Sequence, residues 1–453
     1  MRTLTALFRI TAPSLLLCVA TCLPSPARGQ AARALVLERV EVEGNSRTSA
    51  DLVRERSGLQ PGPLLDPTLL AQALETLRHA GLFRDVDLFT RPGSEPGRVV
   101  AVIRVQENRP RLQLGAGYED LSGWYVIPLR LDLDNLTGHG EALRLDTRLG
   151  YRVAGLVLHL RSSPESASRR YWEARLRGEG QDRVYFLNDT EVIQRVSKGG
   201  FDIGAGGPLP QRLSWGVLLT SEEVEPESTA SVYRDRQVLG RRRGDPVAFA
   251  DLPAGIQNDL GKRRQTRVAL SFGGDGRRGP GLLVRGLRGR LRTEAVFSTG
   301  EPFYLGSADV RAYVPLRPGL LLAARVRAAA VSAAAPFYER LYLGGVYTLR
   351  GYPSQSLSPP AGNLRRWASS LELRSSWVGP PGDPRVTGIL FADLGWAGDT
   401  GLGNREGLKA GVGYGLRLRV PWIERLGLDV GVPLSESPFA ESFHVNLSLG
   451  WTY

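Results

Sequence analysis

Residues 408–420 read Leu-Lys-Ala-Gly-Val-Gly-Tyr-Gly-Leu-Arg-Leu-Arg-Val. Leu408, Ala410, Val412, Tyr414, Leu416, Leu418 and Val420 alternate with Lys409, Gly411, Gly413, Gly415, Arg417 and Arg419. Successive side chains of a strand point to opposite faces, so this period of two describes a strand with one oily and one polar face. A strand in a soluble sandwich has ~5–6 residues, whereas a tilted membrane strand needs ~9–11. The run reaches the second length.

The same pattern extends outward from it. Tyr125, Ile127, Leu129, Leu131 and Leu133 alternate with Pro128, Arg130, Asp132 and Asp134, and Leu143, Leu145 and Leu149 with Arg144, Asp146 and Arg148. Leu426, Leu428, Val430, Val432 and Leu434 continue it, and the chain finishes on Phe443, Val445, Leu447, Leu449, Trp451 and Tyr453. Polar faces of Arg, Asp, Glu and Gly suit a wet lumen, while Leu, Val, Trp and Tyr suit lipid. Counting such segments gives about sixteen, an even number as bacterial barrels prefer. The expected fold is therefore mainly β: a transmembrane antiparallel β-barrel over residues 110–453, preceded by one small α+β domain. Leu316-Arg317-Pro318-Gly319 and Gly379-Pro380-Pro381-Gly382 read as periplasmic turns, and residues 182–196, 222–259 and 335–364 as long extracellular connections.

The N-terminal end fits this destination. Arg2 and Arg9 flank an n-region, residues 10–20 are apolar, and Ala27-Arg28-Gly29 is a small-x-small cleavage site, so residues 1–29 read as a secretory signal peptide. Cys18 and Cys22 both fall inside it, which leaves the mature chain without thiol or disulfide chemistry. No later segment has the ~18 consecutive apolar residues of a membrane helix; residues 320–336 are interrupted by Arg325 and Arg327. The net charge of +12 is almost all arginine, since the lysines are Lys198, Lys262 and Lys409. These charges are scattered singly, which argues against a nucleic-acid module.

Residues 34–109 follow another pattern, βααββ. Residues 36–42 are strand-like and end at the turn pair Gly44-Asn45. Thr48 and Asp51 form a capping-box pattern for a short helix closed by Gly58. Asp66 caps a second helix with Pro67 at its first position and Leu70, Ala73, Leu74 and Leu77 on one face. Two strands follow, residues 83–90 and 98–105. This order, with Gly44-Asn45 and Gly81-Leu82-Phe83 in place, resembles a POTRA domain. The resemblance implies a periplasmic domain whose strand at Phe83, Val86 and Leu88 is a sheet edge that takes up an extended client by β-augmentation.

One further pair of motifs stands in the C-terminal third. Residues 344–352 read Gly-Gly-Val-Tyr-Thr-Leu-Arg-Gly-Tyr, and Leu390-Phe391-Ala392-Asp393-Leu394-Gly395 lies in a later strand. With Leu390, Ala392, Leu394 and Trp396 outward, parity turns Phe391, Asp393 and Gly395 into the lumen. A lumenal carboxylate needs a partner or water, and arginine offers a forked, permanently charged donor. Here the chain resembles the BamA/TamA superfamily, the POTRA-plus-barrel outer-membrane assembly and secretion proteins. Their signature is an Arg-Gly-Phe/Tyr loop packed inside a sixteen-stranded barrel against the Asp of a Phe-x-Asp-x-Gly strand. The matching positions are Arg350, Gly351 and Tyr352 with Phe391, Asp393 and Gly395, and Leu349 stands where Val or Ile is more usual.

The resemblance implies an outer-membrane protein that inserts or translocates polypeptides. Its implied partners are unfolded outer-membrane or secreted clients, outer-membrane lipid and lipopolysaccharide, and periplasmic chaperones, with no nucleic acid. It also implies a seam between first and last strands, with Gly115 and Gly117 on one side and Gly450 and Tyr453 on the other. A single POTRA domain is fewer than the central assembly protein carries, which keeps a dedicated secretion pore for one partner protein as an alternative. A passive diffusion pore lined by Arg130, Arg144, Arg325, Arg327, Arg417 and Arg419 is another. No enzyme is expected, and no cofactor or metal: His79, His139, His159 and His444 have no ligand spacing, and there is no Gly-x-Ser-x-Gly elbow or phosphate loop.

Overall fold

The structure, a computed structural model, describes residues 35–449 except 63, 120–122, 151–152, 163–169, 188–189, 234–242, 401–406, 421–422 and 440–441. Residues 1–29, expected to be a signal peptide, and the positions Gly450 and Tyr453 lie outside the described residues.

The small domain comprises β1 (Val36–Glu43), α1 (Ala50–Ser57), α2 (Pro67–Arg78), β2 (Phe83–Pro92) and β3 (Arg98–Glu107). Its sheet runs β1-β3-β2, with β1 parallel and β2 antiparallel to the central strand. Asp66 accepts from the Thr68 N–H at the start of α2, with Pro67 in the first turn. The cap of α1 differs from the expected one. Ser49 takes that role by accepting from the Leu52 N–H, while Thr48 is buried and turned toward the barrel. Leu37, Val53, Leu77, Val86 and Ile103 fill the space between helices and sheet, each contributing ~1.5–3 kcal/mol by leaving water.

The two edges of this sheet are unlike. Beside β1, the Gly62 and Leu65 N–H groups donate to the Leu37 and Leu35 carbonyls at 2.8 and 2.7 Å, capping the start of that edge. At the opposite edge is β2.

The barrel begins with β4 (Arg111–Glu119), β5 (Gly123–Asp134), β6 (Ala142–Gly150), β7 (Val153–Arg161), β8 (Tyr171–Leu187), β9 (Thr190–Leu209), β10 (Leu213–Pro226), β11 (Ala230–Tyr233) and β12 (Arg243–Val247). It continues with β13 (Arg263–Asp275), β14 (Gly286–Ser298), β15 (Phe303–Arg317), β16 (Leu320–Val331), β17 (Arg365–Val378), β18 (Val386–Gly398), β19 (Leu408–Val420), β20 (Ile423–Pro433) and β21 (His444–Leu449). The sheet is antiparallel throughout and closed, with β21 beside β4. β10 pairs directly with β13, from Leu213 opposite Gly274 to Val224 opposite Arg263. The short hairpin β11–β12 stands on the upper part of β9. Sixteen of the eighteen strands therefore make the wall, in line with the count from sequence.

Alternation sorts the two faces. Leu390 is 61% and Tyr414 60% exposed on the outside, among a belt of apolar side chains. Such a belt would be an aggregation surface in water and is what lipid requires. Trp396 departs from its parity expectation: it is buried, its indole lying against Gly398 and Gly407. Two of the three long connections are also corrected. Residues 182–196 are not a loop but the ends of β8 and β9, paired from Tyr171–Gly206 up to Leu187–Thr190. Residues 222–259 hold the end of β10, β11, β12 and the helix α3 (Ala254–Gln257). These strands overshoot the wall and turn Tyr185, Val192, Val196 and Val224 into a shared core with Ile256. Residues 335–364 do connect β16 to β17 outside any strand.

The small domain is fastened to the turn between β5 and β6. The Ser49 N–H donates to the Gly138 carbonyl at 3.0 Å, and the Asn135 amide donates to the Thr48 hydroxyl at 2.5 Å. On the other side of that segment, N–H groups of Ser46, Arg47 and Thr48 and the Ser46 hydroxyl converge on the Glu107 carboxylate. Burial opposes the charge there, yet these donors outweigh it and lower the Glu107 pKa to about 2.

Candidate functional site

The connection between β16 and β17 folds back into the barrel. A helical turn forms where the Leu349 N–H donates to the Gly345 carbonyl at 3.0 Å and the Thr348 hydroxyl to the Gly344 carbonyl at 2.8 Å. Leu343, Leu349 and Tyr352 bury together beneath it. The turn delivers Arg350 to the inner wall, where it is 0% exposed.

Arg350 uses its whole fork. Nε and Nη2 each donate to Asp393 at 2.7 Å. Nη1 donates to Glu372 at 2.7 Å and Nη2 also to the Ser370 hydroxyl at 2.9 Å. Its own backbone N–H reaches Asp393 at 3.1 Å, and the guanidinium carbon lies 3.5 Å from the centre of the Phe391 ring. Two further pairs complete the cluster: Arg374 with Glu372 at 2.7 Å, and Arg417 with Asp429 by two 2.8 Å bonds. Three arginines thus face three carboxylates, Asp393, Glu372 and Asp429, all buried. Paired charges are the form in which ions tolerate burial.

The rest of the motif supplies fit. Gly351 holds φ at +99°, a conformation that side chains disfavour, with its Cα face against Val432 and Pro433. Opposite it, a Cβ on Gly411 would run into the Arg350 carbonyl oxygen and one on Gly431 into the Gly351 nitrogen. The inner faces of β19 and β20 are thus bare where the loop lies. Tyr352 reaches past them; its hydroxyl lies 2.9 and 2.8 Å from the Ala410 and Ser435 carbonyls and accepts from the Ser435 N–H. Gly395 faces the Leu343 side chain. Of the three residues on each side of the motif pair, Arg350 meets Asp393 and Phe391 directly, while Gly351, Tyr352 and Gly395 pack the loop against its neighbours. Sequence reasoning missed Glu372, Ser370 and Asp429; the inward parity of β17 and β20 was the available signal.

The other candidate residues fall differently. Phe83 and Val86 are core side chains and Leu88 packs against that core, so their side chains are not offered to a partner. What β2 offers is backbone at an edge, with Asp85 and Asp87 exposed. Gly115 and Gly117 lie on β4 opposite Ile127 and Tyr125. The lumenal arginines are engaged: Arg130 with Asp146, Arg144 with Asp132, Arg325 with Asp309, Arg417 with Asp429 and Arg419 with Asp383, while Arg327 donates to the Tyr347 carbonyl. This is not a row of free cations.

A small βααββ domain fastened to a sixteen-stranded barrel, with an arginine loop clamped inside, defines a class of outer-membrane proteins. The Omp85 superfamily domain matches residues 135–453, and the POTRA domain (surface antigen variable number repeat) matches residues 36–108. The chain belongs to the Omp85 superfamily. It is 24% identical over 422 residues to the outer membrane protein assembly factor BamA of Nitratidesulfovibrio vulgaris (strain Hildenborough), covering 88% of this chain and 49% of that protein. The chain thus spans about half the length of this curated relative. Its fold matches BamA from Haemophilus ducreyi lacking POTRA domains 1–3, with a TM-score of 0.71 and 16% identity over 91% of this chain and 84% of that one. CdiB from Escherichia coli matches with a TM-score of 0.57 and 13% identity, over 92% of this chain and 76% of that one.

Proposed function

We propose that this protein inserts or translocates polypeptides at the bacterial outer membrane, with the POTRA domain in the periplasm. The observation that carries the reading is the loop clamped inside the barrel behind a POTRA domain. A passive channel has no use for a buried plug tied to its wall by a neutral cluster of six charges, and paired lumenal arginines offer little to a diffusing anion. The name of the N. vulgaris relative, an assembly factor, supports the same reading.

In this mechanism the periplasmic domain collects an unfolded client as an added strand on the β2 edge, displacing the contacts that Arg78 and Asp85 make with the Val86 backbone, while Gly62 and Leu65 occupy the Leu35–Leu37 end of the other edge. Backbone groups of an edge strand supply the affinity without regard to client side chains. The attachment through Ser49 and Asn135 would deliver that strand beneath the barrel. Outer-membrane lipid surrounds the apolar belt, and the first and last strands, β4 and β21, form the boundary across which a client strand would pass. Arg350 holds the loop; it carries out no chemistry, and no catalytic step is proposed.

Depletion followed by a census of outer-membrane and secreted proteins tests this. Broad loss of outer-membrane proteins is expected for an assembly role. Loss of one secreted protein assigns a dedicated transporter, and an unchanged census overturns the reading in favour of a pore.

A further inference from the structure

Arg350 holds the tip of the loop, but the stem is fastened elsewhere. We propose that Glu339 is a second lock of opposite sign, so that the loop is a crossbeam pinned at both ends. Glu339 closes the short 3-10 turn Phe337–Glu339 at the start of the connection. Its Oε1 accepts from the Lys198 ammonium and from Arg267 Nη2, each at 2.9 Å. Arg267 in turn binds Glu294 at 2.5 Å and Glu222 at 3.3 Å, and Glu222 takes Arg177 at 2.6 Å. Backbone bonds tighten the same turn: the Phe337 N–H donates to Asp259 at 2.7 Å, and Arg183 donates to the Tyr338 carbonyl at 2.5 Å. Phe337 and Tyr338 are buried in the core formed by the overshooting strands.

The two locks sit on different arcs of the wall. The first draws on β17, β18, β19 and β20; the second draws on β8, β9, β10, β13 and β14. The loop presents a cation to an acidic arc and an anion to a basic arc, so its direction across the lumen is encoded in charge. Among the described residues, none of these contacts comes from β21 or β4. The crossbeam therefore stays in place when the closing strands part, and cutting one lock leaves the loop tethered by the other. Glu339 is a positioning residue in this scheme.

The test uses the full chain in proteoliposomes and planar bilayers. Glu339→Lys places a third cation beside Lys198 and Arg267. Protease cleavage of the loop in the folded, heat-modifiable barrel should then accelerate by at least about tenfold, a conservative share of what a broken buried pair costs. Large-conductance openings should become frequent. The reciprocal exchange, Glu339→Lys with Lys198→Glu, should bring cleavage back to within about threefold of native, which general damage to the barrel would not allow. Combining Glu339→Lys with Arg350→Ala should release the loop further than either change alone. Native protection and native current in folded Glu339→Lys would overturn the proposal, as would an exchange variant no better than the single one. If Glu339→Lys does not fold, Glu339→Gln decides the matter: faster cleavage supports the lock and unchanged cleavage refutes it. No client is involved, so the outcome is separate from that of the depletion census.

Discussion

Replacing Arg350 by alanine removes one charge from a cluster of six and should unlock the loop tip. In the native arrangement Asp393 receives Nε, Nη2, the Ser370 hydroxyl and the Arg350 backbone N–H. In the variant it keeps only the hydroxyl and the N–H, while Glu372 keeps Arg374. The cluster changes from neutral to one net negative charge, centred on a carboxylate that no water reaches. Breaking a buried pair costs ~3–5 kcal/mol, mostly through the ion left behind, which is about two to four decades in the loop's docked-to-undocked ratio. The assay is protease cleavage of the loop in a barrel that still shifts on heating, alongside client assembly. Cleavage should accelerate and activity fall, with the barrel still inserted. Adding Asp393→Asn removes the orphaned charge and should return more than half of the lost protection. Arg350→Lys should lie between, because a point charge cannot bridge Asp393, Glu372 and Ser370 together. Unchanged protection and activity in Arg350→Ala, or strict additivity with Asp393→Asn, would refute the reasoning.

Three other outcomes are expected. Gly411→Val leaves every ion pair intact but places a side chain where the Arg350 carbonyl lies, so loop protection should drop as in Arg350→Ala; native protection would show that the bare face is not needed. Glu107, whose carboxyl is held down to about 2, contributes stability above the ordinary carboxylate pKa of ~4.3 and loses it as pH falls toward about 2. Hydrogen exchange of the amides of Ser46, Arg47 and Thr48 should therefore rise across that window, and Glu107→Gln should make it insensitive to pH there. A photocrosslinker at Asp87 on the β2 edge should capture an unfolded barrel protein, whereas one at Arg39 on β1, at the other edge of the sheet, should not; equal yields would remove the edge-specific reading.

Much of this molecule is legible in its sequence because a barrel wall is a period-two object. The parity of Leu390 and Ala392 was enough to turn Asp393 inward, and the same rule places Arg417 and Asp429 in the lumen. What parity cannot supply is which lumenal charges meet, because partners such as Glu372 and Arg350 are joined by the path of a loop with no periodicity. The overshooting ends of β8 and β9 were misread for a related reason. Beyond the wall, Tyr185 and Val192 pack into a buried apolar core, and the contrast between an oily and a polar face disappears. In the small domain, Thr48 has the letters of a helix cap, but the neighbouring turn at Asn135 claims its hydroxyl and leaves capping to Ser49. Phe83, Val86 and Leu88 lie on the strand expected at the sheet edge; its apolar side chains belong to the core, and only its backbone stands at the edge.

The arginine at the loop tip also acts as a counter-ion on the scale of assembly. Without it, the arc from β17 to β20 carries Asp393, Glu372 and Asp429 against only Arg374 and Arg417. A wall that closed before the loop arrived would enclose one uncompensated negative charge, and the bare strip along β19 and β20 would face an empty space. The chain supplies the loop immediately before β17, ahead of the four strands that hold its tip. Chain order thus places the loop tip next to the four strands whose bare faces and carboxylates receive it.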